Sequence, residues 1–365
     1  MDKRISLKAP MKENPKVSIV IPCLNEEKYI GKCLNSILEN NYPNDKIEVL
    51  VIDGKSNDMT KEIVRHYSDK YPFFRLLENP KGKTSAGLNI GIQNSSGEII
   101  IRMDAHARYS SDYISKCVET LEKYKADNVG GIIQTIPGAE TLVAKSIALA
   151  LAHPFGVGNS SFRTARRTDR PQEVDTVPFG CFYRTLFSRV GLYNENLPHW
   201  KARSNEDFDL NRRIRENGGK ILLFPQIESY YFARDTLKKF WLHSFNNGVL
   251  TTLPLWIGNF GLSPRHLIPL FFTIFIALFP PITFLFFPKL QLFVFLVFGL
   301  YILLSLYFSF RRAMTKRNLL YFIIMPVVFF VFHLSYGLGS FWGLLKEIPM
   351  KLKFFFGHDT YTKNC

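Results

Sequence analysis

The amino-acid sequence predicts an α/β domain with a mostly parallel sheet, followed by C-terminal α-helical membrane segments. Apolar β-branched runs alternate with helix-periodic segments in the N-terminal part, which is typical of a parallel sheet covered by helices on both faces. A polar loop follows each of these runs. From residue 267 to residue 345, Phe, Leu, Ile and Val dominate, whereas the composition before Pro264 is that of an ordinary globular domain. The chain therefore contains two regions adapted to different solvents.

The predicted elements follow from the period of the apolar residues. In chain order they are strand 17–21, helix 26–38, strand 47–52, a helix through residues 63 and 64, strand 74–77, helix 85–92 and strand 98–103. A later helix is expected to begin at Glu206 and to carry Phe208, Leu210 and Ile214 on its apolar side. The predicted organisation is an N-terminal tail 1–15, an α/β domain 16–250, an interfacial linker 251–266, about three membrane helices within 267–345 and a C-terminal tail 346–365.

The polar residues that follow the predicted strands are the first candidates for a functional site. Ligands of parallel sheets bind outside the carboxyl ends of the strands. The residues at these positions are Asn25, Glu26, Asp53, the segment 79–83, Asp104 and His106. The chain has neither a GxGxxG nor a GxxxxGK[ST] motif, which disfavours a dinucleotide site or a phosphate-binding loop of the P-loop type.

Net charge and cysteine content restrict the classes of binding partner and the cellular compartment that fit this chain. A net charge of +15 suits nucleic acid, an anionic membrane or an anionic substrate, and no nucleic-acid-binding motif accompanies it. The five cysteines are scattered, without the spacing of a disulfide framework or a zinc site. The first fifteen residues hold no continuous apolar core of a signal peptide, which predicts that the α/β domain stays in the cytoplasm. We therefore expect membrane and phosphate partners and no nucleic acid.

Three apolar segments, 267–287, 290–310 and 319–345, are each long enough to cross a hydrocarbon core that needs about 20 residues. The loop between the second and third carries four cations, Arg311, Arg312, Lys316 and Arg317, and the positive-inside rule places it in the cytoplasm. A third crossing then delivers Lys346, Lys351 and Lys353 to the outside, against the same rule. Prolines at positions 280, 281 and 326 leave kinked or re-entrant alternatives open.

Five sequence blocks carry a resemblance to a known family. VSIVIPCLNEEKYI, VLVIDGKSNDMT, KGKTSAGLNIGI, MDAHARY and SNEDFDLNRRIRENGG resemble, in this order and spacing, the successive blocks of glycosyltransferase family 2, an inverting family with the GT-A fold. The resemblance runs from about residue 17 to residue 248. The DAHARY block and the C-terminal membrane segments most resemble bacterial exopolysaccharide enzymes of the succinoglycan glucosyltransferase type.

The resemblance implies a nucleotide-sugar site. Asp53 lies where the family has an acid that accepts a hydrogen bond from the base, and the alternative is an ordinary turn residue before Gly54. Three residues at the end of the first strand wall the same pocket, namely Pro22, Asn25 and Glu26. Lys83 is expected to hold the base or a phosphate, with a solvated lysine as an equal alternative.

Asp104-Ala105-His106 occupies the place of the family's DxD motif. Alternate residues of an extended chain point the same way, so Asp104 and His106 are expected to face one divalent cation, Mn²⁺ or Mg²⁺. Imidazole suits Mn²⁺ better than Mg²⁺, and the histidine therefore leaves the metal preference open.

The resemblance also assigns the chemistry on the acceptor. Asp207 is the expected general base, with Glu206 orienting it or the acceptor, and the alternative is that both acids only complement a helix dipole. Gly180, in the PFGCFY segment, is a candidate for the acceptor site. The QxxRW box of processive members is absent near Trp241 and Gly248, which predicts transfer of a single sugar.

The function expected from the resemblance is transfer of a sugar from a nucleotide-diphosphate sugar to a lipid-linked or glycan acceptor in cell-surface or exopolysaccharide synthesis. The enzyme is expected in the cell membrane as a multi-pass protein with a cytoplasmic catalytic domain, where other polysaccharide-synthesis enzymes are possible partners. Three alternatives remain: a polyprenyl-phosphate glycosyltransferase, a non-catalytic scaffold that binds sugar nucleotides or polymer, and a transporter. The intact acidic residues disfavour the scaffold, and the small number of membrane segments disfavours the transporter.

Overall fold

The structure is a computed structural model that describes residues 14–200, 204–253 and 264–355. Most of the predicted N-terminal tail, linker and C-terminal tail lies outside these residues. The chain folds as two compact units. The first unit contains the described residues up to Gly131 together with Arg167–Glu195 and Leu210–Ser229, and the second contains the remainder.

The seven elements predicted up to residue 103, and the helix predicted at Glu206, occur close to their predicted positions. The strands are β1 (Val17–Cys23), β2 (Ile47–Asp53), β3 (Phe74–Glu78), β4 (Ile99–Arg102), β5 (Ala107–Tyr109), β6 (Asn128–Ile136), β7 (Gln172–Glu173), β8 (Cys181–Tyr183) and β9 (Ile221–Phe232). The helices are α1 (Ile30–Leu38), α2 (Thr60–Lys70), α3 (Thr84–Gln93), α4 (Tyr113–Tyr124), α5 (Leu142–Leu151), α6 (Pro154–Val157), α7 (Ser161–Thr164), α8 (Leu186–Val190), α9 (Glu206–Glu216), α10 (Leu237–Thr252), α11 (Pro264–Phe286), α12 (Gln291–Thr315) and α13 (Leu320–Phe355).

The sheet has the order β3-β2-β1-β4-β8-β6-β9-β5, and β7 pairs with β9. Its first four strands are parallel, with β1 between β2 and β4. The pairs β4–β8, β6–β8 and β7–β9 are antiparallel, so the sheet is mixed beyond β4. All seven residues of β2 are buried, as expected for a strand covered on both faces. The predicted α/β fold is confirmed, and the parallel part brings the carboxyl ends of β1 to β4 to one edge.

One predicted boundary is wrong for a physical reason. The sequence pattern starts the first helix at Glu26, but α1 begins at Ile30. Asn25 has a left-handed backbone, with φ 55°, and its amide donates to Ser56 Oγ at 2.8 Å. The amides of residues 25–27 bond side chains of the loop after β2, so these residues form a loop. Helical hydrogen bonding begins with the amides of Tyr29 and Ile30, which donate to the carbonyl of Glu26.

The second unit contains the apolar helices. A core of α5, α10, α12 and α13 side chains surrounds the buried rings of Phe240 and Phe329. Three helical stretches, Arg265–Phe286, Pro288–Thr315 and Leu320–Lys346, are long and apolar enough to cross a membrane, which confirms the three predicted segments. Phe284, Phe286 and Phe295 are each about 70% exposed. Because water disfavours so large an apolar surface, these helices indicate membrane association.

Candidate active site

The loops that follow β1 and β2 are bound to each other. Asn57 donates its backbone amide to Asn25 Oδ1 at 2.9 Å, and the amide of Glu26 donates to Thr60 Oγ1 at 2.7 Å. A third hydrogen bond between the two loops runs from the Asn25 amide to Ser56 Oγ. The structure thus holds two predicted site residues, Asn25 and Glu26, beside the carboxyl end of β2.

Asp53 closes β2 and is 1% exposed. Its Oδ2 accepts hydrogen bonds from the amides of Lys55 and Ser56, each at 3.0 Å, and Lys61 Nζ lies 3.5 Å away. Its Oδ1 lies 3.9 Å from the sulfur of Cys23, whose pKa is raised by burial and then by the Asp53 charge, so the thiol stays protonated. The carboxylate therefore performs the turn role that the sequence left open. Its contact with a nucleotide base remains a prediction.

The DAH segment is a turn. The amide of Ala107 donates to the carbonyl of Asp104 at 3.2 Å, and the amide of Asp104 donates to Tyr109 Oη at 2.7 Å. The expectation of an extended chain is wrong here, because β4 ends at Arg102 and the chain folds back through this turn into β5. The side chains of Asp104 and His106 are nevertheless both partly exposed, at 24% and 17%, on either side of a buried Ala105.

Charged partners orient both side chains of this turn. His106 Nδ1 lies 3.0 Å from Glu26 Oε1, and Asp104 Oδ1 lies 3.3 Å from an Nη of Arg102. A carboxylate that accepts from Nδ1–H places the lone pair of the neutral ring on Nε2, as in many metal-binding histidines. Within the described ranges, no cluster of three or more His, Cys, Asp or Glu side chains forms a cation cage. Asp104 and His106 are two ligands of suitable chemistry.

Lys83 precedes α3, and its Nζ lies 3.4 Å from the carbonyl oxygen of Glu195. Asn89 of α3 holds the same segment, because its amide group bonds both the N–H and the C=O of Tyr193 at 2.9 Å. Lys81 Nζ lies 2.6 Å from Glu195 Oε2. Burial opposes ionisation of Glu195, but the bonds from Lys81 and Asn89 outweigh it and lower its pKa. The nucleotide role of Lys83 stays a prediction, and the 193–195 contact was not predicted because no local pattern encodes it.

Gly180 has a conformational and a packing reason to be glycine. Its φ is 88°, and a Cβ at this position would overlap the ring of Phe182 and lie 2.9 Å from Asn128 Oδ1. The space beside Gly180 is thus filled by protein side chains. A role in acceptor binding remains a prediction.

Glu206 and Asp207 open α9 in the second unit. Glu206 is buried and accepts a hydrogen bond from Ser204 Oγ at 2.9 Å, whereas Asp207 is half-buried. Asn205 donates its side-chain amide to the carbonyl of Leu250, near the end of α10, at 2.5 Å. The ring of Phe208 lies 6.4 Å from the ring of His266, in the first turn of α11. The two acids are therefore held where the chain passes from α10 to the apolar helices.

Pro22 is the remaining predicted site residue. It lies in β1, opposite Ile52 of β2, and its Cβ would contact a Cβ at Gly87 of α3 at 3.5 Å. It therefore belongs to the same strand ends as Asp53.

The described residues combine a parallel strand edge that has acidic loops, antiparallel strands beyond it, and three helices long enough to cross a membrane. The sequence profile described as glycosyl transferase family 2 matches residues 18–192. A glucuronosyltransferase of Methanococcus voltae, acting on a dolichyl N-acetyl-α-D-glucosaminyl phosphate by name, is 30% identical over 337 residues, which are 90% of this chain and 97% of that protein. The chain belongs to glycosyltransferase family 2 and is a glycosyltransferase.

Two further likenesses agree with this assignment. The succinoglycan biosynthesis protein ExoA of Rhizobium meliloti is 30% identical over 232 residues, covering 63% of this chain and 67% of that protein. The mannosyltransferase PcManGT of Pyrobaculum calidifontis, solved with GDP-Man and Mn²⁺, superimposes with a TM-score of 0.56 at 18% identity, covering 91% of this chain and 88% of that one. The second likeness shows a shared GT-A fold.

Proposed function

We propose that this enzyme transfers one sugar, with inversion, from a nucleotide-diphosphate sugar to a hydroxyl of a lipid-linked sugar at the membrane surface. The observation that carries the proposal is the attachment of the α9 N-terminus to Leu250 and His266. An acid at this point is within reach of an acceptor whose lipid is in the bilayer. The relative from Methanococcus voltae, which is matched over nearly its whole length, is named for a lipid-phosphate-linked sugar acceptor.

The donor is held by the strand ends of the first unit. Asp53 accepts a hydrogen bond from the base, and Pro22, Asn25 and Glu26 wall the pocket. Lys83 supplies a positive charge for the base or the phosphates. The rigid hydrogen bonding between the two loops supports this proposal, because a preformed pocket loses little conformational entropy when the nucleotide binds.

Asp104 and His106 would hold a divalent cation, Mn²⁺ or Mg²⁺. When bound, such a cation neutralises the charge that develops on a diphosphate leaving group. Glu26 supports the assignment, since its carboxylate fixes the orientation of the His106 ring through Nδ1. The neighbouring Arg102 supports the position of the Asp104 carboxylate, because its Nη lies 3.3 Å from Asp104 Oδ1.

Asp207 acts as the general base. It removes the proton from the acceptor hydroxyl while the oxygen attacks the anomeric carbon from the face opposite the leaving diphosphate, and this geometry inverts the configuration. Asp207 lies in the first turn of α9, where the positive end of the helix dipole attracts a carboxylate. Glu206, buried and bonded to Ser204, orients the neighbouring residues.

To test the proposal, membranes that contain the enzyme are incubated with a panel of labelled sugar nucleotides. Each donor is tested with two acceptors, a polyprenyl phosphate and a polyprenyl-phosphate-linked sugar. The proposal requires label in the lipid fraction only with the lipid-linked sugar. Label on the simple lipid phosphate would identify a polyprenyl-phosphate glycosyltransferase instead, and no turnover with any donor would favour a scaffold. The same assay in chelator should lose transfer, and Mn²⁺ should restore it at least as well as Mg²⁺.

The proposed location is the cell membrane, with the catalytic domain and the loop that contains Arg311 and Arg317 in the cytoplasm. The cations of this loop support that orientation. Enzymes that make or consume the lipid-linked sugar are the partners that this location favours.

A further inference from the structure

The third apolar helix differs from the other two in its surroundings. In α13, 44% of the most apolar stretch is buried by the rest of the protein, against 17% in both α11 and α12. Its burial comes from α10 and α5 as well as from the hairpin that α11 and α12 form. We infer that α11 and α12 cross the bilayer as a pair, whereas α13 does not cross and lies along the membrane surface on the side of the catalytic domain. The inference rests on the proposed membrane location, and it does not depend on the substrate.

The backbones of α10 and α13 touch. A Cβ at Gly248 of α10 would overlap the carbonyl oxygen of Tyr336, and a Cβ at Gly339 of α13 would overlap the carbonyl oxygen of Phe245. A Cβ at Gly343 would likewise overlap Thr252 Oγ1. Such contacts at several successive turns mean that α13 runs along α10 over the whole of this stretch.

Side-chain hydrogen bonds strengthen the same contact. Thr252 Oγ1 donates to the carbonyl of Ser340 at 2.8 Å, and Thr251 Oγ1 lies 2.7 Å from Tyr336 Oη. The polar residues of α10 include Lys238, Lys239, His243, Asn246 and Asn247. A helix with this many polar and charged side chains is too costly to bury in hydrocarbon. The part of α13 that lies beside it is therefore outside the hydrocarbon core.

The two ends of α13 give independent evidence. Lys346 Nζ lies 5.7 Å from the ring centre of Trp200, and Trp200 Nε1 donates to Asn246 Oδ1 at 2.7 Å. Trp200 lies shortly before the α9 acids in the chain, so this end of α13 is on their side of the membrane. The other end follows the cationic loop between Arg311 and Arg317, which belongs to the same side. A helix with both ends on one side does not cross.

The hairpin contacts fit the same geometry. Gly337 meets the carbonyl of Pro269, and His333 Nδ1 lies 3.0 Å from Tyr301 Oη. Pro269 lies near the start of α11, and Tyr301 lies near the middle of α12. Beyond Thr273, α11 continues for about 20 Å.

The exposed face of α13 suits lipid. Six exposed large apolar side chains recur at helical spacing and lie on one stripe, namely Leu320, Ile323, Val327, Phe330, Phe341 and Leu345. Phe322 and Trp342 are also exposed and lie outside this stripe. An apolar stripe on a helix whose other faces are packed against protein lies in the boundary between headgroups and acyl chains. The lipid of the leaflet next to the catalytic domain is therefore the partner of this surface.

The test uses a membrane-impermeant maleimide and the native Cys365. The other four cysteines, Cys23, Cys33, Cys117 and Cys181, are buried free thiols. We expect Cys365 to react in inverted vesicles and to be protected in intact cells. In a Cys365→Ser background, Thr315→Cys should react from the same side as Cys365, and Lys289→Cys, at the hairpin tip, should react from the outside.

Reaction of Cys365 in intact cells would show that α13 crosses and would overturn the inference. Reaction of Lys289→Cys only in inverted vesicles would overturn the inference that α11 and α12 cross the bilayer. Sugar transfer measured on the same vesicles separates this inference from the proposed function, since the labelling pattern does not depend on which acceptor is used.

Discussion

His106 Nδ1 lies 3.0 Å from Glu26 Oε1, and the two residues are 80 positions apart in the chain. The contact links the turn after β4 to the loop after β1. It gives Glu26 a role that its place in the sequence does not reveal, namely to orient the imidazole that we propose as a metal ligand.

Glu26→Gln should therefore weaken metal binding. Loss of the carboxylate behind a histidine ligand typically costs about 10- to 100-fold in metal affinity or activity. The measurement is Mn²⁺ binding by paramagnetic resonance in the presence of nucleoside diphosphate, together with the Mn²⁺ concentration for half-maximal transfer. Glu27→Gln is the matched control, because Glu27 lies in the same loop and bonds the amide of Met59. Equal Mn²⁺ affinity in both variants would remove the role of Glu26.

Asp53→Asn should separate the turn role from the nucleotide role. The amide oxygen can still accept from Lys55 and Ser56, so the melting temperature should change little. The new NH₂ group would place one hydrogen-bond donor opposite another, the N–H of the base. The affinity for the sugar nucleotide should therefore fall by about 10-fold or more. Calorimetry with the nucleoside diphosphate measures this affinity. Lys61→Met, which removes only the ion pair at 3.5 Å, is the control. Normal affinity in Asp53→Asn would leave Asp53 a turn residue.

Asp207→Asn should abolish turnover while donor binding survives. The change is nearly isosteric, but an amide cannot serve as a base near neutral pH, and losing general-base catalysis typically costs about 10²- to 10⁴-fold. Transfer rate and donor calorimetry are measured side by side. Glu216→Gln, at the other end of α9, is the control and should keep full activity. If Asp207→Asn retains the wild-type rate, the base is elsewhere, and Glu206 is the next residue to test.

Gly339→Ala should destabilise the protein, because the added methyl group overlaps the Phe245 carbonyl on α10. Overpacking of this kind typically costs about 1–3 kcal/mol. Thermal unfolding in detergent should show a lower midpoint. Gly299→Ala in α12 is the control, since nothing lies within 4 Å of the added atom. Equal midpoints for the two variants would contradict the close α10–α13 contact.

His153 should make stability fall in mild acid. Burial, and then the charges of Arg312 and Arg311, lower the His153 pKa to about 4. Its Nδ1 accepts from the amide of Phe155 at 3.1 Å and caps α6, which requires the neutral ring. The unfolded chain takes up this proton near pH 6.5, so the stabilisation is complete above that pH and is lost as the pH falls toward 4. His153→Asn keeps a capping oxygen and should flatten this part of the curve of unfolding midpoint against pH. An unchanged slope in the variant would exclude His153 as the source.

The sequence by itself determined the N-terminal elements up to β4, the helix α9 and the three apolar helices, and it marked the candidate site residues. Apolar periodicity is a local property, so β1 to β4, α3 and α9 lie within a few residues of their predicted bounds. The acidic residues after the strands followed from the rule that parallel strands share a carboxyl edge. Three apolar helices followed from composition alone.

Only the tertiary structure decided how these pieces meet. The His106–Glu26 contact, the filled space beside Gly180 and the passage of α13 along α10 join residues far apart in the chain. Such contacts depend on the packing of whole elements, which no window of sequence contains. The composition of α13 makes it equally suited to lipid or to a protein groove, and the glycine contacts with α10 distinguish the two because they need a backbone to approach.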